Sequence, residues 1–75
     1  MDKYAPGTLV RVRDSALGHW ANKNYARQYG YLYIIEELAD PMEGEGQGYW
    51  CHSIATGDDS LFWEEDEIEG ADNHE

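Results

Sequence analysis

The residues able to do covalent or metal chemistry are few: Cys51, His19, His52, His74 and the Asp14–Ser15 pair. Cys51 and His52 are adjacent in a run that reads as a strand, so their side chains leave on opposite faces and do not chelate one ion. No C-x-x-C or H-x-x-x-H spacing occurs, and the acids do not follow the D-x-D-x-D-G…E order of a calcium loop. Asp14 and Ser15 have the composition of a turn, which accounts for them without a triad through His19. Nothing in the spacing around His52 requires an acid–base pair, and Cys51 in an apolar strand reads as a small buried hydrophobe. The expectation is a non-enzymatic protein with no catalytic residue, no metal and no cofactor.

Rings and carboxylates are abundant instead. The 75 residues include three Trp, six Tyr and one Phe. Trp20, Tyr25, Tyr29, Trp50 and Trp63 are too many for one small core to bury completely, and Trp and Tyr are enriched at binding hot spots. Some of them are expected to form an exposed patch rimmed by Glu64, Glu65 and Asp66. Such a patch accepts a Lys- or Arg-bearing segment through cation–π contact and charge pairing.

The charge is divided along the chain. Residues 1–35 hold all five bases and two acids; residues 36–75 hold fourteen acids and no Lys or Arg, and the net charge is −11. An acidic surface serves solubility and keeps an aromatic-rich protein monomeric. It also suits a protein partner with a basic surface. An alternative is imitation of nucleic acid, blocking a DNA-binding protein, since carboxylates at i, i+2 on a strand lie roughly 6–7 Å apart. A second alternative is RNA or DNA contact through residues 11–29, where Lys23 and Arg27 interleave with aromatics. The net charge opposes that approach, so nucleic acid is not the expected ligand.

The elements that must position these side chains follow from local pattern. Residues 1–6 read as a flexible arm. Thr8 to Arg13 alternates Val10 and Val12 against Arg11 and Arg13, a half-buried strand. Asp14 to Gly30 is a long connection in which Trp20 to Tyr29 reads either as a short helix closed by Gly30 or as an irregular loop. Tyr31 to Leu38 is a second strand, and Asp40–Pro41 opens a turn into the flexible run Met42 to Gly48. Tyr49 to Ala55 and Ser60 to Trp63 are strands joined by a hairpin turn in which Gly57 is free to take positive φ. Glu64 to Glu67 reads as a short helical turn, Ile68 anchors a fifth strand, and residues 72–75 are a polar tail. With no apolar leader and a longest apolar run of only Tyr31 to Ile35, no membrane association is expected. A single free thiol points to a reducing cytoplasmic setting.

Five short strands without a long amphipathic helix imply an all-β fold, a small five-stranded barrel over residues 7–71. Within it, Gly7-Thr8-Leu9-Val10-Arg11-Val12, Gly30 before Leu32, Tyr49 with Cys51, and Phe62 to Glu69 resemble the SH3-like barrels of bacteria and phages. Their pattern runs G-x-x-V-x-V, G-x-V, Y-x-V, F-x-E-x-E-L-E. The resemblance implies a short 3₁₀ turn at Glu64–Glu67 before the last strand and Ile68 in the core. An aromatic cage for a methylated base, as in Tudor-type barrels, is a special case of the basic-partner reading. The first loop is longer than usual, and the eukaryotic proline-peptide signature is absent.

Overall fold

A computed structural model describes residues 4–39 and 46–71. The described chain is mainly β. The strands are β1 (Leu9–Val12), β2 (Leu32–Leu38), β3 (Gly48–Ser53), β4 (Leu61–Glu64) and β5 (Ile68–Gly70); α1 (Trp20–Tyr29) is the one α-helix among the described residues. Two 3₁₀ turns, Ala16–Gly18 and Glu65–Glu67, precede α1 and β5.

The strands pair antiparallel in the order β4-β3-β2-β1-β5. Their alternation sorts side chains as the pattern demands. Val10, Val12, Tyr33, Ile35, Tyr49, Cys51, Leu61, Trp63 and Ile68 point inward and form the core. One irregularity breaks the period: Ile35 pairs with Cys51 but Glu37 pairs with Trp50, so β2 carries an extra residue at Glu36. This bulge leaves Glu36 and Glu37 both exposed and turns Leu38, opposite the buried Tyr49, toward the core.

Two expectations are corrected. The sheet is not closed into a barrel, because β4 and β5 are its two edges and are joined only through the turn Glu65–Glu67. A reason lies at the β4 edge. The Phe62 N–H donates to Tyr25 Oη at 3.1 Å and the Glu64 N–H to Glu67 Oε1 at 2.9 Å, so neither is left to pair with β5. The arm assigned to residues 1–6 is not loose at Tyr4. Its ring packs edge-on against Tyr49 with centroids 5.7 Å apart, its N–H donates to Tyr49 Oη and its hydroxyl to Ile68 O. An aromatic body with a polar tip finds both kinds of partner there. The arm's first three residues, the turn at Asp40–Pro41 with the run to Glu45, and the tail with His74 lie outside the described residues.

The long connection resolves into helix. His19 is its N-cap, with Nδ1 accepting the Ala21 N–H at 3.1 Å. Gly30 ends it at φ 99°, where a Cβ would sit 3.1 Å from that of Ala55; only glycine takes that conformation without strain. The helix is held at both ends of its inner face, to the sheet at one and to the two 3₁₀ turns at the other. Ser53 Oγ, buried in β3, donates to Tyr29 O, and Asn22 Nδ2 donates to Ala16 O at 3.0 Å and Glu67 Oε2 at 3.2 Å.

Candidate acidic–aromatic cleft

The inner face of α1 does not seal against β4. Ala21, Asn22 and Tyr25 on the helix, Phe62, Trp63 and Glu64 on β4, and Glu67 on the following turn enclose a cleft of about 330 Å³. A second recess, sharing Asn22, Glu64 and Glu67, continues past Ala16, His19 and Asp66. The elements supply these side chains for simple reasons. Residues 21, 22 and 25 share one helical face. Strand alternation sends Leu61 and Trp63 into the core, which turns Phe62 and Glu64 the other way.

The rings form a chain from the core outward. Trp63, 1% exposed, meets Tyr33 at 5.5 Å and Tyr25 at 5.0 Å, both edge-on, and Tyr25 meets Tyr29 at 5.0 Å. The Trp63 Nε1 is buried without a hydrogen-bond partner of normal geometry. Its N–H still acts on the Tyr33 hydroxyl, whose pKa burial raises well above the ordinary tyrosine range and the indole N–H partly lowers. The Tyr33 hydroxyl is itself committed to Gly30 O at 2.7 Å. Burial likewise raises Tyr25, against the lowering effect of the Phe62 N–H. Tyr25 is therefore a neutral phenol at physiological pH.

The carboxylates are held by hydrogen bonds. Glu64 and Glu67 cap each other across the 3₁₀ turn: each side chain accepts the other's backbone N–H. Glu67 also takes the Asn22 amide, and Glu65 Oε2 accepts from Tyr49 Oη at 2.9 Å. Every one of these donors is neutral. The described ion pairs lie elsewhere, Arg11 with Glu69 at 2.7 Å and His52 with Glu36 at 3.1 Å. Glu65 and Glu67 are thus oriented by neutral hydrogen bonds, with Asp66 between them, and the ion pairs among the described residues do not involve these three.

The residues expected to share one patch separate into three groups. Tyr25, Trp63 and Glu64 line the cleft; Glu65 and Asp66, with Glu64, border a smaller hollow beside Gln47. Tyr29 braces Tyr25 from behind. Trp50 stands on the outer face of the sheet, edge-on to Phe62 at 5.2 Å. Trp20 is 72% exposed and stacks on His19. Trp63 is thus not a surface residue but a core residue beneath the cleft: alternation with Leu61 drives its large apolar area inward. Sequence reasoning missed Phe62, Asn22 and Glu67. Alternation along Leu61-Phe62-Trp63 was a signal for the first; nothing local marks the other two. Outside the cleft, Cys51 is fully buried, and desolvation, followed by the charge of Glu36, pushes its thiol up to about 12.

Fold and site together define a small mainly-β domain whose helix holds an acidic, aromatic-floored cleft against an edge strand. No protein-family model, no curated protein and no solved structure matches the chain.

Proposed function

We propose that the protein is a non-enzymatic interaction module that binds a basic segment of a protein partner in the cleft between α1 and β4. One observation carries this reading: Glu65, Asp66 and Glu67 crowd one corner beside exposed aromatic surface, and the ion pairs among the described residues do not involve them. Uncancelled charge at an apolar wall is the complement of a Lys or Arg side chain, whose stem is apolar and whose head is cationic. In keeping with the resemblance to SH3-like domains, the turn Glu65–Glu67 delivers Ile68 into the core, and its capping carboxylates face the cleft. No specific observation favours nucleic-acid imitation or direct nucleic-acid binding, and neither is carried further.

The test is fluorescence anisotropy with two labelled peptides of equal length, one alternating Lys or Arg with Gly and Ser, the other carrying Asp and Glu in place of the bases. The basic peptide is expected to bind at about 0.05 M salt and to weaken steeply by about 0.5 M. The Glu64→Gln/Asp66→Asn variant is expected to lose about tenfold in affinity. Equal binding of the two peptides, or no loss in the variant, refutes the reading.

A further inference from the structure

The helix α1 carries a second surface, away from the cleft. Ala26 is fully buried, and Asn22, Tyr25 and Tyr29, each partly buried, share its side of the helix. At about 100° per residue, Trp20, Lys23 and Arg27 fall on the far side, within about 60° of one another. All three are exposed, and Trp20, at 72%, is the most exposed large apolar side chain described. The helix has no acid of its own, and the ion pairs among the described residues involve neither Lys23 nor Arg27. Like charges at i, i+4 repel, so the stripe holds two positive charges that the described fold does not balance. Trp and Arg side by side are also the residue types in which binding energy concentrates.

Charge decides what covers this stripe. Two bases beside an exposed indole call for an anionic surface with a ring next to it. The chain itself presents one. Glu65, Asp66 and Glu67 stand on one turn, outside the described ion pairs, and Phe62 is exposed on the strand that leads into it. Within one molecule the two surfaces are kept apart. The turn is tied to the inner side of α1 by the Asn22 amide, which donates to Glu67 at 3.2 Å, and the stripe points the other way. Resting on the basic-partner reading, we infer that Trp20, Lys23 and Arg27 of one copy of this chain dock on the Glu65–Glu67 turn of a second copy. Stripe and turn lie on different sides of the helix, so a copy uses one toward each neighbour. The contact is head-to-tail, and association runs past the dimer as concentration rises.

The net charge sets the conditions. Two bodies of −11 repel at long range. At about 0.01 M salt the screening length of about 30 Å spans the described molecule, 29 Å in its longest dimension, and keeps copies apart. At about 0.15 M it is about 8 Å, which removes most of that repulsion and spares charges in direct contact; at about 1 M it is about 3 Å, and the contact itself is screened.

The experiment is sedimentation equilibrium of the full chain in sodium chloride at those three concentrations, with protein up to about 1 mM. The mass is expected to stay at 8.6 kDa at the lowest salt, to climb with protein concentration at the middle one and to fall back at the highest. Arg27→Glu and Asp66→Lys are each expected to weaken association by about tenfold or more. An equimolar mixture of the two associates again, because each supplies the surface that the other lacks. Both positions are exposed, and neither exchange removes a described hydrogen bond of the fold. A mass fixed at 8.6 kDa under all three conditions overturns the inference. So does association that grows steadily to the highest salt, which is the behaviour of apolar contact. Variants that associate like the unaltered chain overturn the placement. An oligonucleotide that perturbs the amides of Trp20 and Arg27 while the chain stays monomeric assigns the stripe to nucleic acid instead. Binding of the basic peptide without self-association sinks only this inference; failure of both sinks the two together.

Discussion

Cys51 and the two exposed or buried indoles show how position decides what a side chain can do. The Cys51 thiol is fully buried, and its pKa is pushed up to about 12. At pH 8 the native protein is expected to resist a thiol reagent that modifies it at once in denaturant; modification of the native chain at the rate of a free thiol refutes this burial. The same shift has a consequence for stability. A thiol is neutral when protonated, so the native state keeps a proton that the unfolded chain releases above about pH 8.5. The contribution is present in full below that pH and is lost as pH climbs toward the native value. Thermal midpoints should fall on the alkaline side, less steeply in Cys51→Ala. The indoles give a second check. Trp20 is 72% exposed and Trp63 1%, so Trp20→Phe should remove most of the fluorescence that iodide quenches. An unchanged quenching curve contradicts that placement. Cys51 as a buried hydrophobe was readable from its apolar run, whereas Trp20 and Trp63 sit in equally aromatic contexts and only the fold tells them apart.

The turn Glu65–Glu67 is where one short element serves both fold and site. Its carboxylates hold the strand edge, the helix and each other, so the acidic block is structural before it is functional. Glu67→Ala removes the bonds from the Glu64 N–H at 2.9 Å and Asn22 at 3.2 Å. It should cost about 1–2 kcal/mol, lowering the thermal midpoint by about 4–8 °C per kcal/mol in a domain this small. Glu67→Gln keeps an acceptor and should lose less than half as much. Equal losses would assign the effect to charge rather than to the cap. The existence of this turn, the five strands and the Tyr25–Tyr29 spacing were legible because each rests on local pattern. The bulge at Glu36 was not: a shift of register is a property of two paired strands, and Glu36 and Glu37 in succession look the same in a strand as in a loop. Sheet closure was not legible for a similar reason. It depends on the Phe62 N–H meeting a hydroxyl 37 residues away.

At the scale of the molecule, charge opposes folding and favours binding, and salt separates the two. The chain carries −11, and the described residues measure 29 × 28 × 25 Å. At about 0.01 M salt the screening length is about 30 Å, so every acid feels every other; at about 0.1 M it is about 10 Å and repulsion becomes local. The sequence showed the acids gathered in residues 36–75. It did not show that Ala21, Asn22 and Tyr25, from the basic half, fold against them and build the cleft's second wall. Raising salt over that range should therefore raise the thermal midpoint by relieving self-repulsion, while the affinity for the basic peptide falls. The core is apolar and little screened, so the gain in stability should level off once the screening length is well below the molecular width. Binding should go on weakening, because Glu65 and Glu67 are held by neutral donors and the turn keeps its field at short range. A midpoint that falls with salt would mean that favourable pairs such as Arg11–Glu69 outweigh the repulsion. Affinity indifferent to salt would mean that the peptide is held by apolar contact at the rings and not by the acidic corner.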